Sequence, residues 1–362
     1  MDRTVLQSIL DHDFSNPAAV CSQLGWRGSV PRKDYPVMLV PETGRPIGTV
    51  GGGGLEHAVI ESAREVIAGG KVRFERHRLD QPDPDAPGGI CGGQSQMLIE
   101  PLTPEIQAFW QSVKAGEQAA EPIIVITQVT ANGGWTVHRL LAPEQLPEST
   151  PDDVGKALAV ARKEGRSRSL DTSTGFYLVQ CLPRQPVLHL FGAGHVSHAV
   201  AQLADFIALD VIVYDDRLEL ANPARYPNAR SIITTDTVAA AGETAMDPGD
   251  LVLVLAREHN LDLELLRVLL NREWRYLGLI SSKVKWRLLA EKLLAAGIST
   301  ERIAEVHAPV GLAIQSETVP EIAVSIIAEI IHQIHIGGRS ELSLAGRRPN
   351  HAEKEIHREV SR

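Results

Sequence analysis

The segment Val187–Asp216, VLHLFGAGHVSHAVAQLADFIALDVIVYDD, constrains this chain more than any other. Val187, Leu188, Leu190 and Phe191 read as a short buried strand. Gly192-Ala193-Gly194 then turns the chain into a helix whose Val196, Val200, Leu203 and Ile207 form one apolar face. Val211 to Tyr214 reads as the next strand, closed by Asp215 and Asp216. Strand, glycine turn, helix, strand and acid, in that order, predict the first unit of a doubly wound parallel sheet that binds a dinucleotide. Gly192 permits the turn. Gly194 lets the backbone approach a pyrophosphate at the positive end of the helix. Ser197 fills the third small position. Asp215 follows about 20 residues on, where an acid accepts ribose hydroxyls, with Asp216 beside it. The bland alternative is a βαβ unit that packs and binds nothing.

A chain of 362 residues predicts two or three domains. Aromatic residues make up 4% and the net charge is -9, which argues against a base-stacking platform, a nucleic-acid partner or an anionic membrane surface. No apolar run approaches the ~20 residues that span a bilayer. The opening MDRTVLQSILDHDF carries acids where a signal peptide needs an apolar segment. Cys21, Cys91 and Cys181 are far apart and odd in number, so a reducing cytoplasm without a disulfide framework is expected.

The expected architecture is α/β: an N-terminal α/β domain over 1–182, a Rossmann-like parallel-sheet domain over 187–336, and a polar, mobile tail over 337–362. In the first part a helix is expected near Thr4–Asp13. Strands are expected near Val37–Val40, Ile47–Val50 and Met97–Glu100, and a helix from about Leu55 to Ala68 ended by Gly69-Gly70. Strands Ile123–Thr127, Trp135–Leu141 and Phe176–Gln180 complete that domain, and Pro183–Pro186 links it to the next. In the second, strands near Ser231–Thr234, Leu251–Leu255 and Tyr276–Ile280 alternate with helices near 261–271 and 283–296. Thr318 and Glu321 have capping-box spacing. Ile322, Ile326, Ile330 and Ile334 follow at every fourth position, a stripe broad enough to be buried or to form a dimer face.

Three segments outside the Rossmann unit carry possible chemistry. Gly51-Gly52-Gly53-Gly54 precedes Leu55-Glu56 at a strand-to-helix turn, where exposed amides beside a helix N-terminus make an anion cradle; Glu56 is either part of it or a first-turn acid favoured by the dipole. Cys91 stands in Gly89-Ile90-Cys91-Gly92-Gly93, where glycines leave a thiol reachable as a soft ligand or nucleophile. No His or Cys lies at chelating distance in sequence, so a structural zinc site is not expected. Ser29, Arg32 and Lys33 of Gly28-Ser29-Val30-Pro31-Arg32-Lys33 can hold a phosphate or carboxylate, or be a solvated basic turn. His195 follows Gly194 at the helix mouth. His259 and Asp262 follow a strand at the sheet edge where open α/β folds place ligands, and His307 precedes Ala308-Pro309-Val310-Gly311.

Taken together these segments resemble one family, the molybdenum-hydroxylase accessory proteins of the XdhC/CoxI type. GSVPRK (28–33) and GTVGGGGLE (48–56) resemble its N-terminal signature, and CGG (91–93) followed by IEPL (99–102) its cysteine motif. FGAGHVSHAVAQLA, VYDDR, YLGLISSKVKWRLL and HAPVGLAIQSETVPEIAVSIIAEI resemble its Rossmann domain. The resemblance implies a protein that binds molybdenum cofactor, in molybdopterin or dinucleotide form, and assists its sulfuration and insertion. The implied partners are an apo molybdenum hydroxylase of the xanthine-dehydrogenase type, a cysteine desulfurase and a second copy in a homodimer. The family cysteine carries over to Cys91, as a ligand to cofactor, sulfur or molybdenum. Some members have two adjacent cysteines there and this chain has Ile90-Cys91. The usual GLDIGA reads Gly311-Leu312-Ala313-Ile314-Gln315-Ser316, without its acid. Two other classes fit the residues: an NAD(P)-dependent oxidoreductase with His195, His259 or His307 as proton-transfer group, and a nucleotide-responsive interaction module.

Overall fold

A computed structural model describes residues 2–79, 92–117, 122–141, 146–256 and 259–335. The tail expected over 337–362 lies outside the described residues. The first part runs α1 (Arg3–Leu10), β1 (Ala18–Arg27), β2 (Val37–Pro41), β3 (Ile47–Gly48), α2 (Gly53–Gly69), β4 (Arg73–Arg78), β5 (Gln94–Pro101) and α3 (Pro104–Gly116). A second group follows: β6 (Ile123–Ala131), β7 (Trp135–Leu141), α4 (Asp152–Glu164), β8 (Arg168–Thr172) and β9 (Gly175–Leu182). The strands form two antiparallel sheets, ordered β3-β2-β1-β5-β4 and β7-β6-β9-β8.

Period-two alternation explains how these sheets stack. In β1, Ala19 and Cys21 join Met97 and Ile99 of β5 against Leu55, Val59, Ala63 and Val66 of α2. Ala18 and Val20, on the other face, meet Ile123 and Val125 of β6. Leu24 and Leu98 meet Val129, Phe176 and Leu178 in the same way. The outer face of the second sheet, with Ile124, Ile126, Tyr177 and Val179, is covered by Val154, Ala157, Leu158 and Ala161 of α4. The result is four layers, α2, sheet, sheet and α4, with α1 and α3 closing one side.

The third part runs β10 (Val187–Phe191), α5 (His195–Phe206), β11 (Asp210–Tyr214), β12 (Ser231–Ile233), α6 (Thr237–Glu243), β13 (Leu251–Val254) and α7 (His259–Leu269). It ends with β14 (Tyr276–Leu279), α8 (Lys283–Ala295), α9 (Thr300–Ala304), β15 (Val306–His307) and α10 (Val319–His335). The strand order is β12-β11-β10-β13-β14-β15, all parallel. That is the order of a dinucleotide-binding fold, with the order of strand addition reversing between β10 and β13. One face is covered by α5 and α10, where Ala323, Ile326, Ile327 and Ile330 are buried against Leu188, Leu190, Leu251 and Leu253. The apolar stripe of α10 is therefore mainly core. The other face is covered by α7 and α8, with α6 and α9 alongside.

A buried polar cluster fixes the linker to this sheet. Asp250, just before β13, accepts from Arg184 Nη1 at 2.7 Å, from the Val187 amide at 2.9 Å and from the Asp247 amide at 2.9 Å. His189 lies 3.3 Å from Asp250 through Nε2 and 2.8 Å from the Tyr214 hydroxyl through Nδ1. Burial pushes the Asp250 carboxyl up, but His189, Arg184 and the two amides outweigh it and hold it well below the ordinary carboxylate range. An ion pair between Arg3 and Asp210 joins α1 to the start of β11. No helix among the described residues is long and apolar enough to cross a membrane.

Candidate functional site

The structure brings the three N-terminal motifs to one place. The β4–β5 hairpin closes where the Leu79 amide donates to Gly93 O at 2.8 Å and the Gly92 amide to Leu79 O at 3.3 Å. Gly93 lies so close to the carbonyls of Ser29 and Arg27 that a Cβ there would collide with both. Gly28, at φ +69, packs against Gly92 O, and Gly51, at φ +133, against the Pro31 ring. Arg32 donates to Thr49 O at 3.2 Å and to Asp34 Oδ1 at 2.9 Å. The 28–33 turn, the glycine turn and Gly92-Gly93 thus share backbone contacts that only glycine allows. Cys91 precedes Gly92 by one peptide bond and lies outside the described residues.

The glycine turn is not an open cradle. Glu56 Oε2 accepts from the Val50 amide at 3.3 Å, from the Gly52 amide at 3.2 Å and from the Thr49 hydroxyl. The Gly51 amide donates to Thr49 Oγ1 at 3.1 Å. The chain supplies its own anion, because a carboxylate in the first turn of α2 is favoured by the helix dipole and reaches back over the turn. The expectation of four free glycine amides is corrected to this extent: Gly51 and Gly52 are occupied, while Gly53 and Gly54 open α2 without a side-chain cap. Arg32 is held by Asp34 and Thr49, so of the two cations Lys33 is the one without a bond to this turn among the described residues.

At the carboxyl edge of the parallel sheet the Rossmann expectations meet a built mouth. Gly192, at φ +117, lies against Leu255 O where any Cβ would clash, and Gly194 has open space around it. The N-cap of α5 is Gly194, and among the described residues no side-chain cap closes its first turn. His195 is exposed at the first position of α5. A narrow slot beside the turn is lined by Phe191, Thr237, Ala256, Leu261, Asp216 and Arg217.

Asp215 does not do what its position predicts. Its Oδ2 accepts from the Ala193 amide at 2.7 Å and from Arg217 Nη2 at 2.7 Å. Its Oδ1 accepts from the Arg217 amide at 3.0 Å and from Arg217 Nε at 2.8 Å. A carboxylate offers about four acceptor positions, and all four are filled. Burial pushes this carboxyl up, but Arg217 and the two amides hold it at about 2. Asp215 is a staple between β11 and the glycine turn; its neighbour Asp216, half-exposed at the lip, lies 3.9 Å from Arg217 Nε.

The remaining candidates divide. His259 opens α7, and its side chain lies outside what the structure describes. Asp262 is fully buried with Lys285 Nζ 2.5 Å away. His307 Nδ1 lies 3.0 Å from Glu329 Oε1, and Glu329 Oε2 accepts from the Tyr276 hydroxyl and the Gly311 amide at 2.7 Å each. Burial pushes Glu329 up, yet His307, Tyr276 and the Gly311 amide together keep it below the ordinary range. Cys21 and Cys181 are buried free thiols, both pushed up by burial. Sequence reading missed Thr49, Arg217 and Glu329. Arg217 follows the two acids directly, and that i, i+2 spacing was the available signal.

Against this geometry the comparisons with known proteins are specific. Residues 188–330 match the XdhC Rossmann domain and residues 15–78 the XdhC and CoxI family. The chain belongs to the XdhC and CoxI family. Both motif-bearing turns of the N-terminal site before the hairpin fall inside the second match, and the glycine mouth, Asp215 and Glu329 inside the first. The chain is similar to the uncharacterized protein YqeB of Escherichia coli (strain K12), 28% identical over 315 residues, covering 87% of this chain and 43% of that protein. It thus spans less than half the length of YqeB. It is also similar to a probable xanthine dehydrogenase subunit of Bacillus subtilis (strain 168), 25% identical, covering 91% of this chain and 96% of that one. In fold it matches a crystal structure described as a xanthine dehydrogenase from Bacillus halodurans, with a TM-score of 0.76, 24% identity, and coverage of 94% and 97%.

Proposed function

We propose that this XdhC and CoxI family member is a maturation protein for a molybdenum hydroxylase of the xanthine-dehydrogenase type. It binds molybdenum cofactor and assists its sulfuration and insertion. The observation that carries the reading is the convergence of the 28–33 turn, the glycine turn and Gly92-Gly93 at the base of the hairpin that carries Cys91. Burying glycines against carbonyls fixes the backbone immediately after the cysteine, as a group that must present a thiol to a ligand requires.

The residues fit such a cofactor unequally. A phosphate or pyrophosphate fits the uncapped amides of α5 behind Gly192 and Gly194, with His195 and Asp216 at the rim. At the glycine turn only the Gly53 and Gly54 end is open, because Glu56 fills the rest. When bound, the cofactor supplies a metal centre that accepts a soft ligand. Cys91 would supply that thiolate, and of its neighbouring glycines Gly92 has open space around it. A cysteine desulfurase as sulfur donor, an apo hydroxylase as recipient, and a homodimer that sets Cys91 of one copy near the α5 mouth of another complete the proposal.

Anaerobic equilibrium binding of molybdenum cofactor to wild type and Cys91→Ser, with NAD and NADP titrated separately, tests it. Tight cofactor binding that falls at least tenfold in Cys91→Ser is expected. Nucleotide binding without cofactor affinity would instead support an NAD(P)-dependent role, which the slot beside Gly192 favours.

A further inference from the structure

Three sheets present six edge strands among the described residues, and five of the six are blunted. An edge strand offers a row of unpaired amides and carbonyls, a template that folded chains guard with short length, charge, proline or a bulge. β3, β12 and β15 are only two or three residues long. β4 carries Arg73, Glu75, Arg76 and Arg78, and β8 carries Arg168 and Asp171. β7 has none of these guards. It runs seven residues, Trp135–Leu141, and pairs with β6 in unbroken register from Ala131↔Trp135 to Val125↔Leu141. It holds no proline, lysine or acid. Its one guanidinium is turned inward, since Arg139 pairs with the buried Glu100 and lies 5.0 Å over the Phe109 ring. Its outer edge makes no backbone hydrogen bond among the described residues. The two ends of the strand, Trp135 and Leu141, are large apolar side chains left 39% and 38% exposed.

We propose that β7 is a homodimer interface, pairing antiparallel with β7 of a second copy about a two-fold axis at His138. The strand is complementary to itself about that residue. This register sets Trp135 opposite the partner's Leu141, Thr136 opposite the partner's Leu140, and His138 opposite the partner's His138. Residues directly opposite share a face and lie about 4.5–5.5 Å apart at Cα, so each exposed apolar end covers the other. Slipping by one residue turns the inner face of one sheet to the outer side of the other. Slipping by two leaves either Trp135 or Leu141 beyond the paired stretch. The match of each end to the opposite end identifies the occupant as a second copy rather than an unrelated strand. The contact is isologous and closes at two copies, joining two four-stranded sheets into one of eight strands. This names the surface of the homodimer in the proposed function and rests on that part of the reading alone.

Sedimentation of the full chain should show a dimer. His138→Lys sets two ammonium groups opposite each other at an exposed position, and should raise the dimer Kd at least tenfold with the melting curve retained. His138→Cys reads the register. Its two thiols fall within disulfide reach across the axis, so mild oxidation should cross-link the copies. Thr136→Cys, about 13 Å from its own counterpart along the paired strands, should stay uncross-linked. A monomer at micromolar concentration would overturn the proposal. So would a dimer unmoved by His138→Lys, one that His138→Cys fails to cross-link, or one that Thr136→Cys cross-links as readily. Cofactor enters none of these measurements, so loss of the interface leaves the maturation reading standing, and loss of cofactor binding leaves the interface.

Discussion

Asp215 is a residue whose sequence position and structural role differ, and the difference is measurable. Its folded carboxyl sits at about 2. Because that lies below the ordinary value, Asp215 contributes stability above pH ~4 and loses it as pH falls towards 2, on the order of 2 kcal/mol at neutral pH. Asp215→Asn is expected to lower urea-unfolding stability by roughly that amount at pH 7, with the gap from wild type closing as pH approaches 2. A second residue-scale prediction contrasts two glycines. At Gly93 a Cβ would meet two backbone carbonyls, whereas at Gly52, with φ +74, it meets nothing within 4 Å. Gly52→Ala should cost about 1 kcal/mol, the strain of a left-handed residue. Gly93→Ala should cost well over about 2 kcal/mol, because backbone must shift. Thermal denaturation of the two variants side by side checks the ordering. Both glycines are visible in the sequence; which is crowded depends on the 28–33 turn packing across it, a contact that no local pattern encodes.

The elements themselves were legible where one period dominates. The glycine turn, β10, α5 and β11 fall where the sequence puts them, and so do β13, α7, β14 and α8 to within a few residues. The capping box forms as spaced: Glu321 accepts from the Thr318 amide at 3.0 Å, and its own amide reaches Thr318 Oγ1 at 3.5 Å. Thr318→Ala should therefore cost about 1 kcal/mol in chemical denaturation. Sequence reading passed over β1, β4, α3, α4 and β8. β1 is central in its sheet and buried on both faces, so Ala18 to Leu24 shows no alternation. β4, Arg73–Arg78, has one buried residue and five polar ones, because it is an edge strand whose charges pair with Glu65 of α2 and Asp171 of β8. α4 is buried through small residues, Ala157 and Ala161, that carry little hydrophobic signal. The linker was read as a connection only. Arg184→Met should destabilise the Rossmann domain by roughly 3 kcal/mol, since it leaves Asp250 buried without its cation. Urea unfolding at pH 7 measures the loss.

At the scale of the molecule carboxylates are held down in both parts, Asp34 and Glu75 in the first at partly exposed sites, but the buried ones, Asp215 and Asp250, lie in the Rossmann domain. Asp215, Asp250 and Glu329, each bonded to a cation, imidazole or amide, all belong to the Rossmann domain. Their folded values lie below the ordinary ones, so each contributes stability at neutral pH that is withdrawn as pH falls from ~4 towards 2. The Rossmann domain should therefore lose its fold first on acidification, reported by Trp274 and Trp286, while Trp26, Trp110 and Trp135 still report a folded sandwich. Fluorescence of variants keeping one group or the other checks the order. The parallel sheet was legible because the glycine turn marks its first strand-helix unit. The stacking of the first part was not, because two antiparallel sheets face to face differ from one sheet with helices only in which strands meet across the layers. The N-terminal motifs lie far apart in sequence, and their meeting depends on that stacking. Chain enters and leaves the segment 80–91 through one hydrogen-bonded stem, Leu79 with Gly92 and Gly93. Such a stem is a port for insertion: doubling the length between its ends costs only about 0.6 kcal/mol in closure entropy. Descent or engineering can thus alter the reach of this segment without disturbing a strand register.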